Sequence, residues 1–278
     1  MEEVLVTGAT GRVGRHVAQT LAQAGLPVRR ATTSPRESSD VRFSFTDPTT
    51  FHDAFRGVDR MFLMRPPQIG NVRRDMFPAM DAARRMGVRR VVLLSLQGAE
   101  RNPVVPHHRL ESWLRASGQE WTFVRAGFFL QNLSMTHARE IREDGVIMVP
   151  AGRGRTSFVD ARDVAGVAAL ALREDGHADR AYIPTGARAL TYAEVARTLT
   201  DVVGKPIHYG DPGPLAYWRH ARRHGLPVPM TMTMITLALY SACRFGLAAG
   251  VTDDVRRLLG REPISLRRFA EDERAAWL

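Results

Sequence analysis

The sequence predicts an α/β fold, a doubly wound parallel sheet followed by a smaller, mainly helical region, and three observations support it. First, the β-formers Val4-Leu5-Val6 meet glycines at Gly8, Gly11 and Gly14, and Val13, Val17 and Leu21 then recur four apart on one helical face. Second, short apolar runs alternate with helical patterns up to about residue 125, as in a parallel sheet covered on both faces. Third, past Arg125 the rhythm changes to short strands, and from Pro214 the chain is mostly helical. Strand, glycine turn and helix in this order form the front half of a dinucleotide-binding unit. Gly8 supplies backbone freedom for the turn. A bare Gly11 lets the chain press against a pyrophosphate, and Gly14 lets the helix pack closely on the strand.

Taken in order, Gly25 caps the first helix and Pro27 precedes a second strand, Val28 to Thr32. The loop after that strand decides cofactor choice in such a sheet, because a carboxylate there accepts from ribose hydroxyls and an arginine holds an extra phosphate. Here stand Thr33-Ser34-Pro35-Arg36, with no carboxylate until Glu37. Two hydroxyls and Arg36, helped by Arg12, favour NADP(H) over NAD(H). A solvated turn with an incidental arginine is the plain alternative. Strand three is expected at Val41 to Phe45, alternating Val41, Phe43 and Phe45. Asp47-Pro48 reads as an N-cap with proline in the first turn of a helix closed by Gly57. Strand four, Met61 to Met64, ends in Arg65-Pro66-Pro67, where a cofactor-facing loop belongs. One helix is expected from about Val72 to Met86, strand five at Val91 to Leu94 ending at Ser95, a helix from His107 to Ala116, and strand six at Trp121 to Val124.

Beyond Gly127, strands are expected at Val146 to Val149, Thr156 to Val159 and Ala181 to Pro184, with an Ala/Val-rich helix to Leu172. Thr191-Tyr192-Ala193-Glu194 is a capping box opening a helix that stops at Gly204. The expected organisation is a nucleotide-binding domain over 1–130, with sheet contributions from about 145–185, and a substrate-side, mainly helical region over 131–278.

Composition narrows the function. A chain of 278 residues with 44% hydrophobic residues and 24% charged ones reads as an ordinary soluble globular protein able to bury a large core. The net charge of +10 raises the question of nucleic acid, yet Lys205 is the only lysine and the arginines are scattered as singles and pairs. That scatter reads as a compositional bias rather than a phosphate-binding face, so nucleic acid is not expected as a partner. Cys243 is the single cysteine, which excludes an intramolecular disulfide and fits a reducing compartment. With no signal-peptide pattern at the start, a cytoplasmic location is expected. The apolar stretch Met230 to Gly250 is interrupted by threonines, Arg244 and Gly246, and reads as a covering or core helix rather than a membrane span.

The chain closely resembles the NmrA-like family of atypical short-chain dehydrogenases/reductases, which includes quinone, azo-dye and triphenylmethane reductases. The residues that carry the resemblance are the turn from Thr7 to Gly14; Phe45-Thr46-Asp47-Pro48; Gly57-Val58-Asp59-Arg60-Met61-Phe62-Leu63; Ser117-Gly118 through Thr122-Phe123-Val124-Arg125; Phe128-Phe129-Leu130-Gln131-Asn132; and Phe158-Val159-Asp160 through Asp163-Val164-Ala165. The resemblance implies a Rossmann-type sheet with a small substrate-side domain and binding of NADP(H) or NAD(H). Two positions depart from the family pattern, which places arginine where Thr33 stands and a carboxylate where Ser44 stands.

Short-chain reductases often use Tyr-x-x-x-Lys, the tyrosine giving the proton and the lysine lowering its pKa. None of Tyr182, Tyr192, Tyr209, Tyr217 or Tyr240 has a lysine four residues later, so that machinery is excluded. Hydride transfer still needs only a bound nicotinamide and a placed acceptor, which suits quinones and other conjugated acceptors. The candidate proton donor is His107, with His108 beside it. Both stand at a helix start near the place of the missing dyad, and histidine titrates near neutrality. A solvated helix-start histidine is the plain alternative. The expected cofactor contacts are Gly8, Thr10, Gly11, Arg12, Val13, Gly14, Thr33, Ser34, Arg36, Met64, Arg65 and Ser95. Phe128, Phe129 and Asn132 are expected to line an aromatic substrate pocket.

No metal site is expected: His220 and His224 lie four apart on a helix, but arginines surround them in sequence and no carboxylate is close. A P-loop and a Gly-x-Ser-x-Gly nucleophile turn are absent. The expected activity is reduction of a small conjugated or aromatic substrate such as a quinone. The alternatives are a nucleotide-binding redox sensor without turnover, as the family's namesake is, or a non-redox tailoring enzyme. A homodimer is one assembly the chain allows, and no membrane partner is expected.

Overall fold

The computed structural model describes residues 3–224 and 230–278, and the chain divides into two compact units. The first is Met1–Ala126, Ala161–Pro184 and Asp254–Arg261; the second is Gly127–Asp160, Thr185–Asp253 and Glu262–Leu278. In chain order the elements are β1 (Glu3–Thr7), α1 (Gly14–Gln23), β2 (Val28–Thr32), β3 (Asp40–Arg42), α2 (Phe51–Phe55), β4 (Val58–Met64), α3 (Val72–Asp75), α4 (Phe77–Arg85), β5 (Arg90–Leu96), α5 (Pro106–Ala116) and β6 (Glu120–Ala126). Next come β7 (Phe128–Phe129), α6 (Gln131–Ser134), α7 (Ala138–Asp144), β8 (Val146–Met148), β9 (Arg155–Thr156), β10 (Phe158–Val159), α8 (Ala161–Arg173) and β11 (Arg180–Tyr182). The rest comprises β12 (Leu190–Thr191), α9 (Tyr192–Val203), β13 (His208–Gly210), α10 (Pro214–Arg223), α11 (Met230–Arg244), α12 (Asp254–Leu259) and α13 (Leu266–Asp272).

The first unit is built on a seven-stranded sheet in the order β11-β6-β5-β4-β1-β2-β3, with every pairing parallel. The strands are buried on both faces, which is why they read as unbroken apolar runs. In β4, Met61 and Leu63 join a core with Leu5, Phe55, Met80 and Leu110, while Phe62 between them is fully buried on the opposite side. Each such side chain contributes roughly 1.5–3 kcal/mol by leaving water. The direction of winding changes between β1 and β4, and an open α/β sheet forms its ligand crevice at such a point, beyond the carboxyl ends of its strands. α8 packs beside α1 and under β4, β5 and β6, its Ala/Val-rich faces almost wholly buried.

Four expectations change. β3 ends at Arg42 rather than Phe45, because the chain leaves the ladder after Phe43 N donates to Thr32 O at 2.8 Å. Ser44 N then turns to Thr50 Oγ1 at 3.2 Å. Phe43 and Phe45 stay buried in an edge-to-face pair 4.8 Å apart, so their alternation marked burial and not a continuing strand. The single helix expected over Val72 to Met86 is two helices, because Pro78 has no N–H to give and its ring crowds the preceding turn. Of the stretch 145–185, only β11 joins the main sheet; β8, β9 and β10 pair with β13, β12 and β7 as separate two-stranded ladders. Asp47 caps as expected, accepting from Thr49 N, but the first turn is a 3-10 turn, Pro48–Thr50, ahead of α2.

The second unit has its own core, in which Leu133, Ile141, Ile147, Leu199, Phe269 and Trp277 are all buried to within 1%. Trp277 Nε1 donates to Leu133 O at 2.9 Å, tying the carboxyl-terminal turn into it. The capping box is present: Thr191 Oγ1 accepts from Glu194 N, and Glu194 Oε2 accepts from Thr191 N at 2.8 Å. Gly204 ends α9 in the left-handed region. Many arginines are engaged structurally, Arg90 for example with Glu120, Asp175 and the carbonyl of Glu174. Among the described residues no helix is long and apolar enough to cross a membrane.

Candidate functional site

The turn after β1 is shaped by close approach of backbone to backbone. Gly8 lies in the left-handed region at φ +62°, and a Cβ there would also meet Met64 Cε at 2.2 Å. Gly11 N donates to Gly8 O at 2.9 Å, closing the turn. A Cβ on Gly14 would lie 2.2 Å from Gly8 O and 2.7 Å from Gly8 C, so α1 can begin where it does only with glycine at that position. Thr7 Oγ1 donates to Phe62 O and accepts from Met64 N, both at 2.9 Å, which fastens the turn to the end of β4. No side chain caps α1 and no acidic residue stands in its first turn. Its amino end therefore presents N–H groups and the positive end of the helix dipole to the turn.

Beside this turn lies a cleft of about 350 Å³ at the carboxyl ends of β1, β2 and β4. Its walls are Thr7, Gly8, Thr10 and Gly11 from the turn, Ala31 to Thr33 after β2, Phe43 to Thr46 after β3, and Met64 with Pro66 to Ile69 after β4. Of the expected cofactor residues it gathers Gly8, Thr10, Gly11, Thr33 and Met64. Val13 is in the core at 3% exposure and starts α1, and Gly14 serves the helix packing. Thr33, Ser34 and Arg36 are exposed. The Arg36 and Glu37 backbone N–H groups both donate to Asp40 Oδ2, which shapes this loop and lowers the Asp40 pKa. The Arg36 side chain makes no hydrogen bond or ion pair among the described residues. Arg12 is half-buried and burial lowers its pKa.

Arg65 is a cation with donors to spare. Its Nη1 donates to the carbonyls of Pro66, Pro67 and Ile69, the last at 2.6 Å, while its buried Nε has no hydrogen-bond partner among the described residues. No carboxylate pairs with it among the described residues, and burial lowers its pKa. Its charge reaches His107, in the first turn of α5. Burial and then Arg65 push that imidazole down to about 4, against an opposing pull from Glu111. The expectation that His107 titrates near neutrality is thereby corrected. At pH 7 the ring is neutral, able to donate one N–H but holding no imidazolium proton. His108 is structural: its Nδ1 donates to Ala99 O at 2.9 Å.

Ser95 also has a different place from the one expected. It is 4% exposed and its hydroxyl donates to Glu111 Oε1 at 2.6 Å. Fully buried Glu111 in turn accepts from Arg125 Nε at 2.9 Å and Nη2 at 2.7 Å. Burial works to raise the Glu111 carboxyl, but Arg125 and Ser95 hold it below its ordinary value. Ser95 thus serves a buried ion pair and is not offered to a ligand. In the second unit, Phe128 and Phe129 form β7 and are half-buried, with Phe128 edge-on to Phe158 and tilted against Tyr240. Asn132 accepts at its carbonyl from His137 N at 2.9 Å.

The NmrA-like family model matches residues 1–244. The chain belongs to the NmrA-like family. Among curated relatives of this NmrA-like protein is an NAD(P)H azoreductase from Xenophilus azovorans, 33% identical over 294 residues and covering 99% of each chain. Among solved structures, the triphenylmethane reductase of a Citrobacter species complexed with NADP(H) superposes with a TM-score of 0.86 at 24% identity, covering 97% of this chain and 99% of that one. An NADPH-dependent quinone oxidoreductase from Escherichia coli complexed with NADPH gives 0.85 at 22% identity, with 97% and 99% covered. These likenesses establish the Rossmann-type architecture.

Sequence reasoning placed a cofactor-facing loop at Arg65-Pro66-Pro67, and Pro66 and Pro67 do line the cleft; it missed the walls at Phe43 to Thr46 and at Gln68 and Ile69. The available signal for the first was the abrupt end of a strand pattern before Asp47, which marks a loop at the carboxyl end of a strand.

Proposed function

We propose that this NmrA-like protein is an NAD(P)H-dependent oxidoreductase that reduces a small conjugated or aromatic acceptor, such as a quinone, without a tyrosine–lysine dyad. The observation that carries the reading is the cleft beside the Gly8–Gly14 turn, set at the carboxyl ends of the strands where the winding reverses. The azoreductase and the two dye and quinone reductases to which the chain is similar support the reaction class.

The residues present suit a dinucleotide. A turn stripped of side chains at Gly8 and Gly11, the uncapped amino end of α1, and Arg65 with an unpartnered Nε form an anion-seeking rim. Gly8, Thr10, Gly11 and the start of α1 would hold the pyrophosphate, and Met64 and Arg65 would border it. Thr33, Ser34 and Arg36, with no carboxylate before Glu37, favour NADP(H), the Arg36 guanidinium being a ready donor to a phosphate. A bound nicotinamide cofactor supplies the hydride.

The protein's own part is binding, orientation and exclusion of water. His107, neutral at working pH, orients an acceptor oxygen or nitrogen by donating an N–H, leaving the final proton to solvent. Flat conjugated acceptors tolerate that arrangement because the charge formed on reduction is delocalised. Phe128, Phe129 and Asn132 are proposed substrate contacts, aromatic faces and an amide suited to planar rings.

The test is oxidation of NADPH and NADH by pure protein against a panel of quinones and azo dyes, with nucleotide binding measured in parallel. Turnover is expected, with a preference for NADPH. Tight binding with no turnover on any acceptor would transfer the reading to a nucleotide-binding sensor. Failure to bind either nucleotide would remove the proposal.

A further inference from the structure

Away from the nucleotide turn, the second unit brings together two pairs of side chains that sequence separates by about eighty residues. Glu140 and Asp144 are four apart on α7, and His220 and His224 are four apart along α10 and its carboxyl cap. That spacing puts each pair on one face of its helix. The two imidazole centroids are 4.3 Å apart. His220 Nε2 is 2.5 Å from Glu140 Oε2, and His224 Nε2 is 2.8 Å from Asp144 Oδ2. One ligand atom from each of Asp144, His220 and His224 lies within 4.8 Å of the other two.

The protonation pattern around Glu140 leaves lone pairs facing this group. Glu140, 1% exposed, accepts from His137 at 2.8 Å, from Met148 N at 3.1 Å and from His220. His220 therefore carries its proton on Nε2, toward Glu140, and its other nitrogen is an acceptor. His224 is 8% exposed, and among the described residues neither of its ring nitrogens has a hydrogen-bond partner. Its approach to Asp144 is close but out of line for an N–H···O bond. A buried imidazole with both nitrogens unsatisfied is costly unless something else engages it. Two imidazoles and a carboxylate converging within one small space are the donor set of a tetrahedral Zn²⁺ site with one position open.

We propose that Asp144, His220 and His224 bind a divalent transition-metal ion, Zn²⁺ by preference, with Glu140 as the outer carboxylate that fixes the His220 ring. The bound ion clamps α7 to α10, and Arg222, stacked on Trp218 at 4.9 Å, is turned to an aromatic face. Nitrogen and oxygen ligands without thiolate also admit Ni²⁺ or Co²⁺, so zinc is the probe and not the sole candidate.

The test uses the full chain, stripped with chelator and titrated with zinc chloride against a chromogenic competitor. One zinc per chain is expected. His224→Ala and Asp144→Asn should lose at least 100-fold in affinity, and Glu140→Gln 10- to 100-fold, as expected when an orienting carboxylate is removed. His52→Ala, whose side chain is 71% exposed in the first unit, is the control and should bind as the parent does. Asp144 is 42% exposed at its side chain, so Asp144→Asn keeps the fold and its result stands even where His224→Ala proves unstable by circular dichroism. No stoichiometric binding by the parent chain overturns the proposal. So does binding that Asp144→Asn and Glu140→Gln leave unchanged, which would place the zinc on surface histidines.

Discussion

Alanine at Gly11 and alanine at Gly14 should separate folding from cofactor binding. At Gly14 the new Cβ would stand 2.2 Å from Gly8 O and 2.7 Å from Gly8 C, where ordinary contact begins at 3.4 Å. Both obstacles are backbone, so the start of α1 must withdraw by roughly 1 Å. Overpacking of this kind costs about 1–3 kcal/mol, which corresponds to a fall in Tm of roughly 3–10 °C. At Gly11 the nearest obstacle is Gly8 O at 3.1 Å, a displacement of a few tenths of an ångström, and the backbone is not left-handed. Gly11→Ala should melt within about 2 °C of the parent. Its methyl, however, occupies the wall of the cleft proposed to receive a pyrophosphate. NADPH affinity should fall at least tenfold, about 1.4 kcal/mol. Scanning fluorimetry and fluorescence titration with NADPH read the two effects. A Gly11→Ala protein that melts and binds like the parent would refute the cleft as the phosphate site. A Gly14→Ala protein with an unchanged Tm would refute the packing account.

Arg36→Ala should raise the Kd for NADPH about tenfold and leave that for NADH unchanged, since only the former carries the extra phosphate. Equal changes for both nucleotides would remove Arg36 from the basis of preference. Arg125→Ala should cost about 3 kcal/mol in urea unfolding at pH 7, because it leaves the fully buried Glu111 carboxylate with only the Ser95 hydroxyl and the longer contact to Arg115. The Glu111 pKa is held low in the fold, so this contribution is present above the ordinary carboxylate range and is lost as pH falls through the folded value. His107 has a folded pKa of about 4 against 6.5. Its neutral form is favoured by folding, so its contribution is present above pH 6.5 and is lost as pH falls toward 4. Thermal melts of His107→Gln across that window should lose part of the parent's acid sensitivity, and an identical pH profile would contradict the burial of the ring.

How much could be read from the chain depends on the range over which each signal acts. The glycine turn, the apolar strands β1, β4, β5 and β6, the capping box at Thr191 and the stop at Gly204 depend on backbone conformations and periodicities within a few residues. Their outcomes were readable in order. Pro78 was equally local, and its break in the helix over 72–86 could have been read from the missing N–H alone. Ser95 shows where local reading stops. A strand-end serine is compatible with facing a ligand or a neighbour, and the choice was made by Glu111 arriving from α5 with Arg125 from β6.

By itself, then, the sequence determined a parallel sheet entered through a glycine turn, the absence of any Tyr-x-x-x-Lys spacing, and family membership, all written in short spacings and residue identities. Tertiary structure alone decided that His107 is neutral, because burial and the charge of Arg65 act through space. It alone decided that His220 and His224 have carboxylates beside them, because Glu140 and Asp144 reach them through packing of α7 and α10 rather than through neighbouring sequence. Electrostatic environment and ligand sets depend on distances in the folded chain, and no spacing along it encodes those distances.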